Sequence, residues 1–189
     1  EHQLSLQVIR ENMLKNHGYY KVTEDGVEQC LISCDDGVYR FTPPESEEQD
    51  WTVEKLVDEA ASDAVLVDLD QDGEKELILI SPFHGEHIYF YKKIDGDYKK
   101  VYTYDTADFA HAIYGGTLLG KPAVIIGHRK GERNLLLFTW EQEKGQYQVE
   151  ILDRDCGPAN VFKYERGTEE VLISTNREID EVAMYTFEK

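Results

Sequence analysis

Short apolar runs recur along the chain at a spacing in the forties, separated by polar loops and turn residues. One series is Cys30 to Ser33, Leu77 to Ile80, Ala123 to Ile126 and Val171 to Ser174, centred on Ile32, Leu79, Ile125 and Ile173 at steps of 47, 46 and 48 residues. A second series follows each of these after a polar loop: Val38 to Phe41, Ile88 to Tyr91, Leu135 to Phe138 and Val182 to Tyr185. A third begins at Trp51, Tyr98 and Tyr147. A fourth comprises Tyr19 to Val22, Ala64 to Val67, Ala112 to Gly115 and Asn160 to Tyr164. It precedes Gly26, Gly73, Gly120 and Gly167, which fall at equal steps of 47 residues. Runs this short, rich in β-branched and aromatic residues, read as strands, and four of them per unit at such a period predict the blades of a β-propeller. The chain is expected to be one all-β domain over 1–189, a propeller of four four-stranded blades. The repeats cover about 12–58, 59–105, 106–153 and 154–189, each with strands A, B, C and D in order.

The two ends of the pattern complement each other. Leu4 to Ile9 lies 47 residues before the D strand at Trp51, and the last unit stops after its C strand. Residues 4–9 are therefore expected to close the last blade, sealing a four-blade ring with no open edge. The competing expectation is half of a larger ring, completed by a second copy as a homodimer or by further sequence.

Composition narrows the classes of function. At 189 residues and 41% apolar the chain can bury a core as one domain. A formal charge of -18 disfavours nucleic acid and anionic membranes, whose phosphates call for a basic footprint. No apolar run approaches ~18 residues and no secretory pattern opens the sequence, so a soluble protein is expected. Cys30, Cys34 and Cys156 are an odd count at irregular spacing, unlike a disulfide framework, and favour a cytoplasmic over a secreted setting. The even separation of Cys30 and Cys34 puts both on one face of a B strand.

The most specific local motif is Asp68-Leu69-Asp70-Gln71-Asp72-Gly73-Glu74-Lys75-Glu76. Carboxylates at its positions 1, 3, 5 and 9, with glycine at 6 for the sharp turn, aim hard oxygens at one point, as calcium demands. An EF-hand would need glutamate at position 12, where Leu79 stands, and the loop joins two strands. The motif resembles the calcium loops of FG-GAP or VCBS-type repeats of integrin-like propellers. That resemblance implies one structural calcium, with Asp68, Asp70, Asp72 and Glu76 as side-chain ligands and Glu74 giving its backbone carbonyl. The equivalent turns at Gly26, Gly120 and Gly167 lack these ligands. A solvated acidic turn is the plainer alternative.

In a meander of four strands, the D to A and B to C loops open on one face and the acidic A to B loop on the other. His17, Asp63, His111 and Asn160 align where strand A enters the channel on the first face. The B to C loops add His84, His87, His128, Arg129, Asn176, Arg177 and Glu178. Five of six histidines, all but His2, thus gather on that face. Imidazoles, guanidiniums and carboxylates around a channel mouth suit a polyhydroxylated or carboxylated small molecule. Each has a plainer use: a histidine opening an inner strand can bond the backbone of the next blade, and Arg129 and Arg177 can tie blades together.

No nucleophile elbow, phosphate-cradling loop or His-Glu-x-x-His pair is present. The expected function is binding of a carbohydrate or sugar acid, with His17, His84, His111 and His128 as candidate acid–base groups for a lyase or dehydratase reaction. The remaining mouth residues would hold the ligand. The same four histidines could instead hold a transition metal, which for zinc requires imidazoles within ~2.1 Å of one point. The alternative from another class is a non-catalytic protein-interaction propeller with a structural calcium.

Overall fold

The computed structural model describes residues 4–46 and 48–188, so His2 lies outside it. Among the described residues the chain is all-β, with one short 3-10 turn at Arg177–Ile179. Blade one is β1 (Tyr19–Glu24), β2 (Val27–Cys34), β3 (Gly37–Thr42) and β4 (Thr52–Val57). Blade two is β5 (Asp63–Val67), β6 (Glu76–Ser81), β7 (His87–Ile94) and β8 (Asp97–Tyr104). Blade three is β9 (Ala110–Leu118), β10 (Lys121–His128), β11 (Leu135–Glu141) and β12 (Gln146–Asp153). Blade four has β13 (Pro158–Arg166), β14 (Glu169–Asn176) and β15 (Glu181–Glu188). Each sheet is an antiparallel meander in chain order, and the protein is a β-propeller of four blades.

The spaced glycines mark the A to B hairpins. Asp25 and Gly26 have φ of 50° and 79°, and Leu119 and Gly120 have 52° and 74°, the double left-handed turn that matches strand twist in a two-residue hairpin. The cores lie between consecutive blades. Val22, Leu31 and Val38 of blade one pack on Leu66, Leu77 and Leu79 of blade two. Val65, Ile78 and Phe90 pack on Val124, Leu136 and Phe138 of blade three. Leu118, Ile125 and Leu137 pack on Cys156 and Leu172 of blade four. Each fully buried aliphatic or aromatic side chain contributes ~1.5–3 kcal/mol of transfer free energy. The inner strands approach closely: a Cβ on Gly115 would sit 2.7 Å from that of Val65.

Residues 4–9 do not form the expected fourth strand of the last blade. They carry no strand and are exposed, Leu4 at 95% and Leu6 at 91%. The chain that follows is tied instead to blade one. The Arg10 guanidinium stacks on the Tyr39 ring at 4.5 Å, Asp35 donates its amide to the Leu14 carbonyl, and Met13 packs on the outer face of the blade. Among the described residues, strand contacts join blades one and two, two and three, and three and four more extensively than four and one. At that seam Tyr19 and Phe162 stay about two-thirds exposed, and Val182 and Met184 are uncovered.

Candidate functional site: the histidine mouth

Three of the predicted histidines converge. His17 precedes β1, His84 sits in the β6–β7 loop and His111 is the second residue of β9, so blades one, two and three each contribute one imidazole. His84 stacks on His111 at a centroid distance of 4.6 Å and an interplanar angle of 13°. His17 meets both edge-on, at 4.7 Å and 5.8 Å. One ligand nitrogen of each lies within 4.8 Å of the others. Phe83 and Phe109, which the sequence reading passed over, wall the cluster: Phe83 lies 4.2 Å from His84 and 5.3 Å from His17, and Phe109 lies 5.2 Å from His84.

The plainer use of the inner-strand histidines is also present. His17 donates Nδ1–H to the Ser62 carbonyl at 3.2 Å, and His111 donates Nδ1–H to the Ala159 carbonyl at 2.7 Å, each reaching the next blade. A carbonyl oxygen only accepts, so Nδ1 carries a proton in both rings, and in the neutral ring the lone pair is on Nε2. His84 is held neutral, its pKa brought down to about 4 by burial first and then by His111 and His17. Its Nδ1 is buried without a hydrogen-bond partner. Asp63, with a carboxylate oxygen 3.7 Å from His17 Nδ1, has its carboxyl pushed up to about 7 by burial. A cleft of about 480 Å³ opens beside the cluster, lined by Phe83, His84, Asp108, Phe109 and Lys130.

Other candidates are placed elsewhere. His128 is buried and spends both nitrogens on its own loop: Nδ1 faces the Lys130 carbonyl at 2.9 Å, and Nε2 accepts the Asn134 amide at 3.1 Å. A register shift falls between Gly127 and His128, and with both nitrogens engaged the ring pins its loop, apart from the three-histidine cluster. His87 pairs with Asp105 at 3.2 Å and stacks on Tyr89, apart from the three-histidine cluster. Asn176 is buried, accepting from Ser174 and donating to Glu181 and Tyr185, which is a structural role. Arg129 donates from Nε and Nη2 to Glu178 at 2.9 and 2.8 Å, tying blade three to blade four, and lies 5.0 Å from the Phe109 ring. Arg177 is exposed 3.5 Å from Glu178, and Asn160 is exposed with its amide bonded to Thr175.

On the opposite face Asp68, Asp70 and Glu76 bring carboxylate oxygens within 4.8 Å of one another. The loop organises itself, with the amides of Gly73, Asp72, Glu74 and Leu69 donating to Asp68, Asp70, Asp72 and Glu76. Asp68 Oδ1 is left buried and unpartnered, and burial pushes the Glu76 carboxyl up to about 7. The Lys92 ammonium, from β7, pairs with Asp70, with Asp72 at 3.3 Å and with Glu76 at 3.6 Å. This donor set has the chemistry of a hard-cation site, with a lysine of the protein drawn to the same point. A larger cleft of about 760 Å³ runs past this loop, between Leu69, Leu118, Trp140 and Phe187. It holds no histidine.

The geometry defines a β-propeller with an imidazole-lined mouth. No family model and no curated protein matches the chain. Solved structures do: two putative 6-phosphogluconolactonases share the fold, one from Bacteroides uniformis at 12% identity and TM-score 0.56, one from Bacteroides fragilis at 15% and 0.54. Each alignment covers 92% of this chain, which spans 55% of each of those proteins.

Proposed function

We propose that the protein binds a carbohydrate, sugar acid or sugar lactone at the histidine mouth. The observation that carries this reading is the convergence of His17, His84 and His111 from three blades beside a cleft, with Asp63 held near neutrality against His17. Nitrogen lone pairs and a carboxyl that gains or loses its proton near pH 7 serve sugar hydroxyls, and they can move a proton in elimination or in the opening of a lactone. Phe83 and Phe109 offer faces for a sugar ring, and Lys130, 5.0 Å from Phe109, brings positive charge to the rim of an acidic protein. The fold neighbours carry a sugar-lactone name, which agrees with this class of ligand. The acidic loop is proposed to hold a structural calcium.

The test is a thermal-shift and calorimetric screen of aldonolactones, uronates and neutral sugars with chelator present. Saturable binding that Asp63→Asn and His84→Ala both weaken supports the site; failure of every sugar class to bind removes it. The uncovered Phe162, Val182 and Met184 support a second reading, in which that face holds a protein partner or a second copy.

A further inference from the structure

We propose that His17, His84 and His111 hold a divalent first-row transition metal, zinc or one of its neighbours, through one nitrogen each. Three imidazoles, of which His84 lines the cleft, are a nitrogen-rich, oxygen-poor donor set, which separates this point from the carboxylate loop on the other face.

The spacing suits it. Nitrogens bound to one tetrahedral zinc stand about 3.3 Å apart. The three here already lie within 4.8 Å of one another, so each need move only about an ångström. The tautomers suit it as well. The carbonyls of Ser62 and Ala159 accept the Nδ1–H groups of His17 and His111 and so present both Nε2 lone pairs, the arrangement by which ligating histidines are oriented from behind. His84 Nδ1 is buried without a hydrogen-bond partner. Phe83 and Phe109 wall the three imidazoles and offer the point between them no competing oxygen donor.

A bound metal with its remaining position open to the cleft would supply Lewis acidity to a carbonyl or water there. This extends the sugar-site reading without depending on it, because metal binding is measured with no sugar present.

The experiment uses the full chain, stripped with chelator and titrated with Zn²⁺ by calorimetry and with Co²⁺ by visible absorption. One equivalent is expected to bind, with the intense ligand-field bands of a tetrahedral nitrogen-rich site. His17→Ala and His84→Gln should each lower affinity by at least about tenfold, whereas His87→Ala and Asp70→Ala leave it unchanged. Circular dichroism of each variant verifies folding, and the conservative His84→Gln guards against loss through collapse of the loop. Absence of a stoichiometric site, octahedral cobalt spectra, or affinity lost equally in Asp70→Ala would overturn the assignment. Sugar binding in chelator with no metal site would overturn this proposal and leave the sugar reading intact.

Discussion

His111 hydrogen-bonds the Ala159 carbonyl at 2.7 Å, and His17 makes the equivalent bond to Ser62 one repeat pair earlier, at 3.2 Å. The two bonds show how a repeat can make a tie and a site at once. One nitrogen of each imidazole fastens its blade to the next, while both rings also meet His84.

The histidines should separate by stability. His128→Ala leaves the Asn134 amide unpaired in the interior, while the Lys130 carbonyl keeps the Arg133 amide, and about 2–3 kcal/mol of unfolding free energy should be lost in urea titrations. His111→Ala removes one hydrogen bond at a partly solvated site and should cost about 1 kcal/mol. Equal losses would contradict the division into pin and mouth.

Tyr20 gives a pH signature. Its hydroxyl donates to the Gly115 carbonyl at 2.7 Å, joining blade one to blade three, and burial first, then Tyr114, raises its pKa to about 12. A group whose folded pKa exceeds its unfolded value, here about 10, stabilises fully below pH 10 and ceases to as pH rises toward 12. Tyr20→Phe should be less stable at neutral pH by about 1 kcal/mol and show a shallower loss of stability between pH 10 and 12.

Calcium should raise the melting temperature and chelation lower it, with Asp70→Ala abolishing the difference. Lys92 competes for the same carboxylates, so Lys92→Met should increase the calcium-induced shift while lowering the melting temperature in chelator. An unchanged midpoint on calcium addition to the parent protein would remove the ion from the acidic loop.

The three free thiols should alkylate in a fixed order. Cys30 is only partly covered, whereas Cys34 and Cys156 are buried, Cys34 also donating to Asp36 at 2.9 Å. Burial raises all three pKa values, that of Cys156 to about 11. One fast-reacting thiol is expected in the native state and all three in denaturant. Two or more fast thiols would mean that the blade cores open readily.

Substitutions at the seam should be nearly silent in the monomer. Phe162→Ser and Val182→Thr should change stability by no more than about 0.5 kcal/mol, against about 2–5 for Leu172→Ala between blades three and four. A large loss at Phe162, dependent on protein concentration, would show that a second copy covers it.

The strands were readable because period and alternation repeat four times, and Ile32, Leu79, Ile125 and Ile173 each fall inside a second strand. Loop parity alone put His17, His84 and His111 on one face. It could not say which histidines meet, because His128 spends its nitrogens on Lys130 and Asn134 of its own loop, a pairing with no periodic trace in the sequence. Lys92 was missed for a related reason: in the sequence it is one more polar residue after Tyr91, and only the sheet register carries it to Asp70. The expected closing strand failed because apolar matching at Leu4 to Ile9 says nothing about whether blades one and four come near enough to pair.

The bare edge of β15 and the uncovered face of Phe162 make the order of disassembly directional. Blade four shares its core with blade three, whereas blade one is held to blade two by a core and to blade three by the Tyr20 bond, so blade four should peel first while the middle pair keeps the Phe90 and Phe138 core. Amide exchange would register this as a gradient from the seam inward. The histidine cluster, drawn from blades one, two and three, would keep its three imidazoles when blade four leaves and dissolve when blade one does.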